Sequence, residues 1–279
     1  MKSPIILIPG VFGSKIVARH KYNGMNEICW VYPAVNAVSR LCKFMWGTYD
    51  QQKEEFISYM HEYADMTNVE GLTGCDKIVD HFLINGTNAA IVFQRLTEYL
   101  ISVRGYKYEQ DLFTFSYDWR NAMYSKGIME KFHSLVLHIN KTQNQKPILV
   151  GHSLGGLLVE SYMRLYSDFN DHIKKFISLT TPFDGASAYC YLASLIGYNL
   201  QIPIGKTCAF KGFQLNNPNL ALMASGMRKL YLPKLYIKRT KFKRNLTYEL
   251  SSDNLDILEK SCFPCSSYKD MSKAALLRQ

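Results

Sequence analysis

The residues with the clearest chemical content are Gly151-His152-Ser153-Leu154-Gly155, a GxSxG turn. It lies where the apolar run Pro147-Ile148-Leu149-Val150 gives way to Leu157, Leu158, Tyr162 and Leu165 at helical spacing. Strand, sharp turn and helix in that order carry a serine hydroxyl on a strained corner, clear of the sheet. Side chains at Gly151 or Gly155 would collide there with the neighbouring strand or helix. The helix behind Ser153 aims its unpaired N–H groups at the reacting centre, which makes the N–H of Leu154 one candidate oxyanion donor. A second donor is expected behind an earlier strand. Ile5-Ile6-Leu7-Ile8 leads into the glycine-punctuated loop Pro9-Gly10-Val11-Phe12-Gly13-Ser14, where Val11 is the first choice and Phe12 the next. The chemistry these groups suit is acyl transfer through an ester on Ser153.

Strand, elbow and helix place the chain in the α/β class, as an α/β-hydrolase, in which the nucleophile comes first, the acid later and the histidine last. No histidine follows His172. His152 adjoins the serine, where neighbouring side chains point apart. His133 and His138 fall on the helix expected over 127–140, and His172 sits ahead of the strand expected over 176–180. His20, His61 and His81 complete the set, and none of the seven reads as a general base. Asp184, just past that last strand, is the candidate acid. Asp253, Asp256 and Asp270 read as cap or loop aspartates. A serine without a base is a poor nucleophile near neutral pH, so the chain is expected to be nearly inert as written. Three readings compete: a truncated product whose sheet is incomplete at its C-terminal strands, a pseudoenzyme, and an enzyme with unusual histidine placement. Met1 lies three residues before the first core strand, and no signal peptide is expected.

The elements that must hold this site can be read in outline. A helix is expected over 93–103, a strand over 112–117, then the helix over 127–140 and the elbow strand. The β-α-β order predicts a mostly parallel sheet flanked by helices. Residues 20–75 read as an irregular excursion bearing Trp30, Tyr32, Phe44, Trp46 and Tyr49. With 279 residues and 47% apolar content, one large core is affordable and one domain is expected. Residues 1–230 form that core, and 231–279 read as a basic tail or the remnant of a cap. No run approaches a membrane span. Neither a metal nor a cofactor is expected, and Cys262-Phe263-Pro264-Cys265 is a lone CxxC without a zinc or redox context.

Pro9-Gly10 with Gly13-Ser14, then Ser116-Tyr117-Asp118-Trp119-Arg120, then the GxSxG turn, then Phe176-Ile177-Ser178-Leu179 leading into Pro182, resemble the ordered landmarks of the lecithin:cholesterol acyltransferase family. That family includes the lysosomal phospholipase A2 and the phospholipid:diacylglycerol acyltransferases. Tyr-Asp-Trp-Arg is the most specific of these motifs, and the likeness covers about residues 4–230. It implies an enzyme that takes an acyl chain from phospholipid onto Ser153, with Val11 and Leu154 as oxyanion donors, and passes it to a lipid hydroxyl or water. It also implies a disulfide closing a lid loop at Cys29 and Cys42, and a secretory, lysosomal or extracellular setting. Nothing after about residue 230 resembles the family's acid and histidine region. The alternatives kept open are a non-catalytic lipid-surface binding protein and a neutral lipase or thioesterase.

Charge bears on partners. The formal net charge is +10, and residues 228–244 carry eight basic side chains and no acid, interleaved with Leu230, Tyr231, Leu232, Leu235, Tyr236, Ile237 and Phe242. Such a segment suits an anionic membrane or lipoprotein surface, and nothing else in the chain reads bases as a nucleic-acid binder would. Asp118 and Arg120 are expected to pair and fix a loop wall, while Trp119 packs beside the acyl site. Sequons stand at Asn85, Asn140 and Asn245.

Overall fold

The structure, a computed structural model, describes residues 2–30, 47–50, 52–76, 83–84, 87–88, 92–183, 236–241 and 244–249. The strands in chain order are β1 (Ile5–Ile8), β2 (Ile16–His20), β3 (Asn26–Trp30), β4 (Gly47–Asp50), β5 (Glu55–Ser58), β6 (Ala64–Asn68), β7 (Leu83–Ile84), β8 (Thr87–Asn88), β9 (Leu112–Thr114), β10 (Ile148–His152), β11 (Lys175–Leu179), β12 (Tyr236–Lys241) and β13 (Arg244–Glu249). The helices are α1 (Leu72–Cys75), α2 (Gln94–Ser102), α3 (Lys126–Gln143), α4 (Leu154–Leu165) and α5 (Phe169–His172).

Four strands form a parallel sheet in the order β11-β10-β1-β9. Central β1 is buried along its whole length, as expected of a parallel strand covered on both faces. Its alternation assigns the two faces. Ile5 and Leu7 pack with Leu112, Val150, and Phe93 and Leu100 beside or within α2. Ile6 and Ile8 join the larger cluster, which contains Phe132 and Val136 of α3 and Leu158 and Tyr162 of α4. The fold is therefore α/β, with helices against both sides of the sheet. Helix α3 buries Ile128, Phe132, Val136 and Ile139 along one stripe and stops at Asn144, whose left-handed φ of 49° closes the helix. Burying a side chain such as Phe132 stabilises the fold by about 1.5–3 kcal/mol.

The excursion expected to be irregular is largely antiparallel sheet where it is described. Strands β3, β2 and β6 pair in that order, and β4 pairs with β5 as a hairpin. Alternation in segments of four or five residues was too short to register beside the aromatic and charged residues. Part of the expected basic tail likewise forms the antiparallel pair β12–β13. Its Tyr, Ile and Thr content favours strand, a signal hidden by the lysines and arginines. No helix among the described residues is long and apolar enough to cross a membrane. Cys29 is a buried free thiol, and its expected partner Cys42 lies outside the described residues. Burial pushes the Cys29 pKa up to about 12, which leaves it a poor nucleophile.

Candidate active site

Strand β10 runs directly into α4 through Ser153, whose backbone sits at φ 53° and ψ −122°. A non-glycine residue there stores roughly 1–3 kcal/mol of strain and persists only where its surroundings enforce it. The enforcing contacts are visible. The Ser153 N–H donates to the Leu179 carbonyl of β11 at 2.9 Å. Helix α4 lies so close to the end of β1 that a Cβ on Gly155 would stand 2.3 Å from the Ile8 carbonyl oxygen. Gly156, which sequence reasoning passed over, is as crowded: a Cβ there would overlap the Thr181 side chain.

The loop after β1 faces the serine. A Cβ on Gly10 would meet Ser153 Cβ at 2.8 Å and Ser153 Oγ at 3.2 Å. The hydroxyl side of Ser153 is therefore apposed to Gly10, and Ser153 itself is only part-buried. Val11 is half-buried beside Gly10, and Leu154 opens α4. Neither N–H has an acceptor among the described residues, as a first-turn helix donor ordinarily lacks one within its helix.

The loop is clamped through its carbonyls. Trp30 Nε1 donates to the Phe12 oxygen at 2.9 Å, the Tyr117 hydroxyl to the Pro9 oxygen at 3.0 Å, and Trp119 Nε1 to the Ser14 oxygen at 3.0 Å. Rings of Phe12, Trp30 and Trp119 pack edge-on or tilted at 4.7–5.3 Å. Phe12 itself sits at φ 64°. The Tyr117-Asp118-Trp119-Arg120 run is thus a buttress. Its charges close on themselves, with Arg120 Nε to Asp118 Oδ1 at 2.9 Å and Arg120 Nη2 to Asp118 Oδ2 at 2.5 Å, the guanidinium being fully buried.

The described histidines are placed elsewhere or turned aside. His152 meets the Phe93 ring at 6.3 Å, and burial lowers its pKa, holding it neutral. His20 pairs with Glu27, His61 with the Ser58 carbonyl, His133 with the Tyr162 hydroxyl and His172 with Asp168. His138 is exposed on α3. His81 and the candidate acid Asp184 lie outside the described residues. Among the described residues no three His, Cys, Asp or Glu side chains gather to hold a metal. The Asn140 amide donates to the Val136 and His172 carbonyls, so that sequon's side chain is engaged in the fold. Asn245 lies on β13, and Asn85 is outside the described residues.

A parallel sheet, a strained serine between strand and helix, and a clamped loop facing it form one arrangement, and residues 69–255 match the family model for lecithin:cholesterol acyltransferase. The chain belongs to the lecithin:cholesterol acyltransferase family. It is 29% identical over 193 residues to lecithin-cholesterol acyltransferase-like 4 of Arabidopsis thaliana, a match covering 67% of this chain and 35% of that protein. It is 26% identical over 199 residues to phospholipase A(1) LCAT3 of the same plant, covering 66% of this chain and 42% of the relative. The chain thus spans less than half the length of the curated relatives it matches.

Proposed function

We propose that Ser153 is the nucleophile of a lipid-directed acyl transfer, taking an acyl chain from phospholipid as a serine ester and releasing it to a lipid hydroxyl or to water. The observation that carries this reading is the strained Ser153 backbone with its side chain against Gly10. In the step, Oγ adds to the ester carbonyl, the N–H groups of Val11 and Leu154 receive the developing oxyanion, and the bond to the lysophospholipid oxygen breaks as that oxygen takes up the proton the serine hydroxyl gives up. Losing one such donor costs about 3–4 kcal/mol of barrier. The family membership and the relative named a phospholipase A(1) support a phospholipid donor.

The described histidines are tied to other partners, exposed or turned aside, so the described residues supply a nucleophile and an oxyanion site without a base. Turnover from these groups alone is expected to be residual, of the kind left when a triad member is removed. That same observation favours a second reading, a lipid-surface binding protein that keeps the fold. The basic segment 228–244 is the proposed contact with anionic lipid in either case.

Acyl release from phospholipid, triacylglycerol and thioester substrates, compared between the chain and its Ser153→Ala variant, tests the assignment. Serine-dependent release from phospholipid above the other two supports the proposed substrate. Serine-dependent release only from triacylglycerol or thioester contradicts it. No serine-dependent release, with retained binding to anionic vesicles, favours the second reading.

A further inference from the structure

The loop facing Ser153 turns on a residue whose backbone conformation is unfavourable for its type. The Gly13 N–H donates to the Gly10 carbonyl at 3.0 Å, which closes a four-residue turn with Val11 and Phe12 at its centre. Of those two, only Phe12 has a positive φ, 64°. That is the pattern of a type II turn, whose third position ordinarily takes glycine or asparagine. A phenylalanine there is strained and persists only where its surroundings enforce it. Relaxation to the type I form, compatible with most residues, would turn the Val11–Phe12 peptide over. The dipole of that peptide would then be reversed beside the Val11 N–H, the first-choice oxyanion donor.

The turn is held at three places. Tyr117 and Trp119, from the loop after β9, donate to the Pro9 and Ser14 carbonyls at its two ends. The middle is held by Trp30, whose Nε1 donates to the Phe12 carbonyl at 2.9 Å and whose ring lies 4.9 Å from the Phe12 ring. Trp119 meets the same Phe12 ring edge-on at 4.7 Å. Trp30 is the last residue of β3, in register with Ile16 of β2, and it is buried. The antiparallel sheet of the excursion therefore reaches the centre of the turn, while the loop after β9 fixes its ends.

We propose that Trp30 is a positioning residue of the oxyanion site: it keeps Phe12 in the left-handed conformation and so fixes the peptide dipoles around the charge that develops opposite Ser153. The inference rests on Ser153 being the nucleophile. Fixed dipoles aimed at a developing charge are what such a site contributes to the rate.

Treating the full chain and its variants with graded concentrations of an alkyl fluorophosphonate, and reading kinact and KI separately, tests the role. Trp30→Phe keeps a ring and removes the donor. It is expected to lower kinact about tenfold with KI unchanged, short of the roughly 100- to 1,000-fold that follows outright loss of an oxyanion donor. Adding Phe12→Gly to Trp30→Phe restores kinact, because glycine adopts a positive φ without strain. Were Trp30 merely a packing residue, deleting a second ring would deepen the loss instead. With Trp30 in place, Phe12→Ala and Phe12→Gly delete the same ring and differ in backbone freedom, so the first lowers kinact and the second retains it. That pair decides the matter should Trp30→Phe fail to fold. Unchanged kinact in Trp30→Phe, absence of rescue by Phe12→Gly, or equal kinact in Phe12→Ala and Phe12→Gly overturns the proposal while Ser153 is still labelled. No labelling of the parent chain removes the Ser153 reading itself, and this inference with it.

Discussion

The two ends of helix α4 are built to opposite rules. At its start, Ser153 holds a strained backbone and the Leu154 N–H has no acceptor among the described residues. Near its finish, the buried Tyr162 hydroxyl meets His133 Nδ1 at 2.9 Å, His133 stacks on Tyr166 at 4.2 Å, and His172 Nε2 meets Asp168 Oδ2 at 3.1 Å. One end keeps donors open at the cost of strain, while the other satisfies its polar groups and packs them. His133 and His172 belong to the second kind of place, with their ring nitrogens taken up by Tyr162 and Asp168.

The sharpest way to break this contrast is Gly155→Val. Its side chain must displace the β1 backbone near the Ile8 carbonyl, and a loss of about 4 kcal/mol or more is expected in chemical denaturation. Asp118→Ala removes the carboxylate that pairs with the buried Arg120 guanidinium, which costs about 3–5 kcal/mol in the same measurement and loosens the loop facing Ser153. At the packed end, His133→Ala removes the Tyr162 partner and costs about 1–3 kcal/mol, with no change in reactivity at Ser153. Ser153→Gly runs the other way. Relief of strain, reduced by glycine's greater chain entropy, is expected to raise stability by about 1 kcal/mol while removing the nucleophile.

The smallest expected effect is one of pH. Burial lowers the His152 pKa below its ordinary value of 6.5, so the unfolded chain binds the proton more readily. Stability on this account is complete above the unfolded value and falls as pH drops from there toward the folded pKa. Replacing His152 by Asn flattens that acid limb, as measured by melting temperature against pH.

Much of this frame is legible in the sequence. Unbroken apolar runs at β1 and β10 and the helical spacing after Ser153 need no tertiary information, and the parallel pairing follows from their order. The Asp118–Arg120 pair was readable as a loop wall, whereas Trp119 was expected beside the acyl site. The bonds from Tyr117 to Pro9 and from Trp119 to Ser14 were not readable, because they join segments about a hundred residues apart through backbone carbonyls. Gly156 carried no local signal beyond being glycine and Gly10 none beyond its place in the loop after β1, since their crowding comes from Thr181 and Ser153 across the fold. The antiparallel strands of the excursion were missed because pairs as short as β4–β5 draw their register from the partner more than from their own pattern.

The central claim is that Ser153 Oγ is presented to an open oxyanion site beside Gly10. Peptide mapping after prolonged exposure to excess fluorophosphonate reads it directly. A slow, single adduct on Ser153, lost in Gly10→Val with the fold retained, is the predicted result. No adduct on Ser153 at any reagent concentration, or labelling that Gly10→Val leaves untouched, contradicts the account.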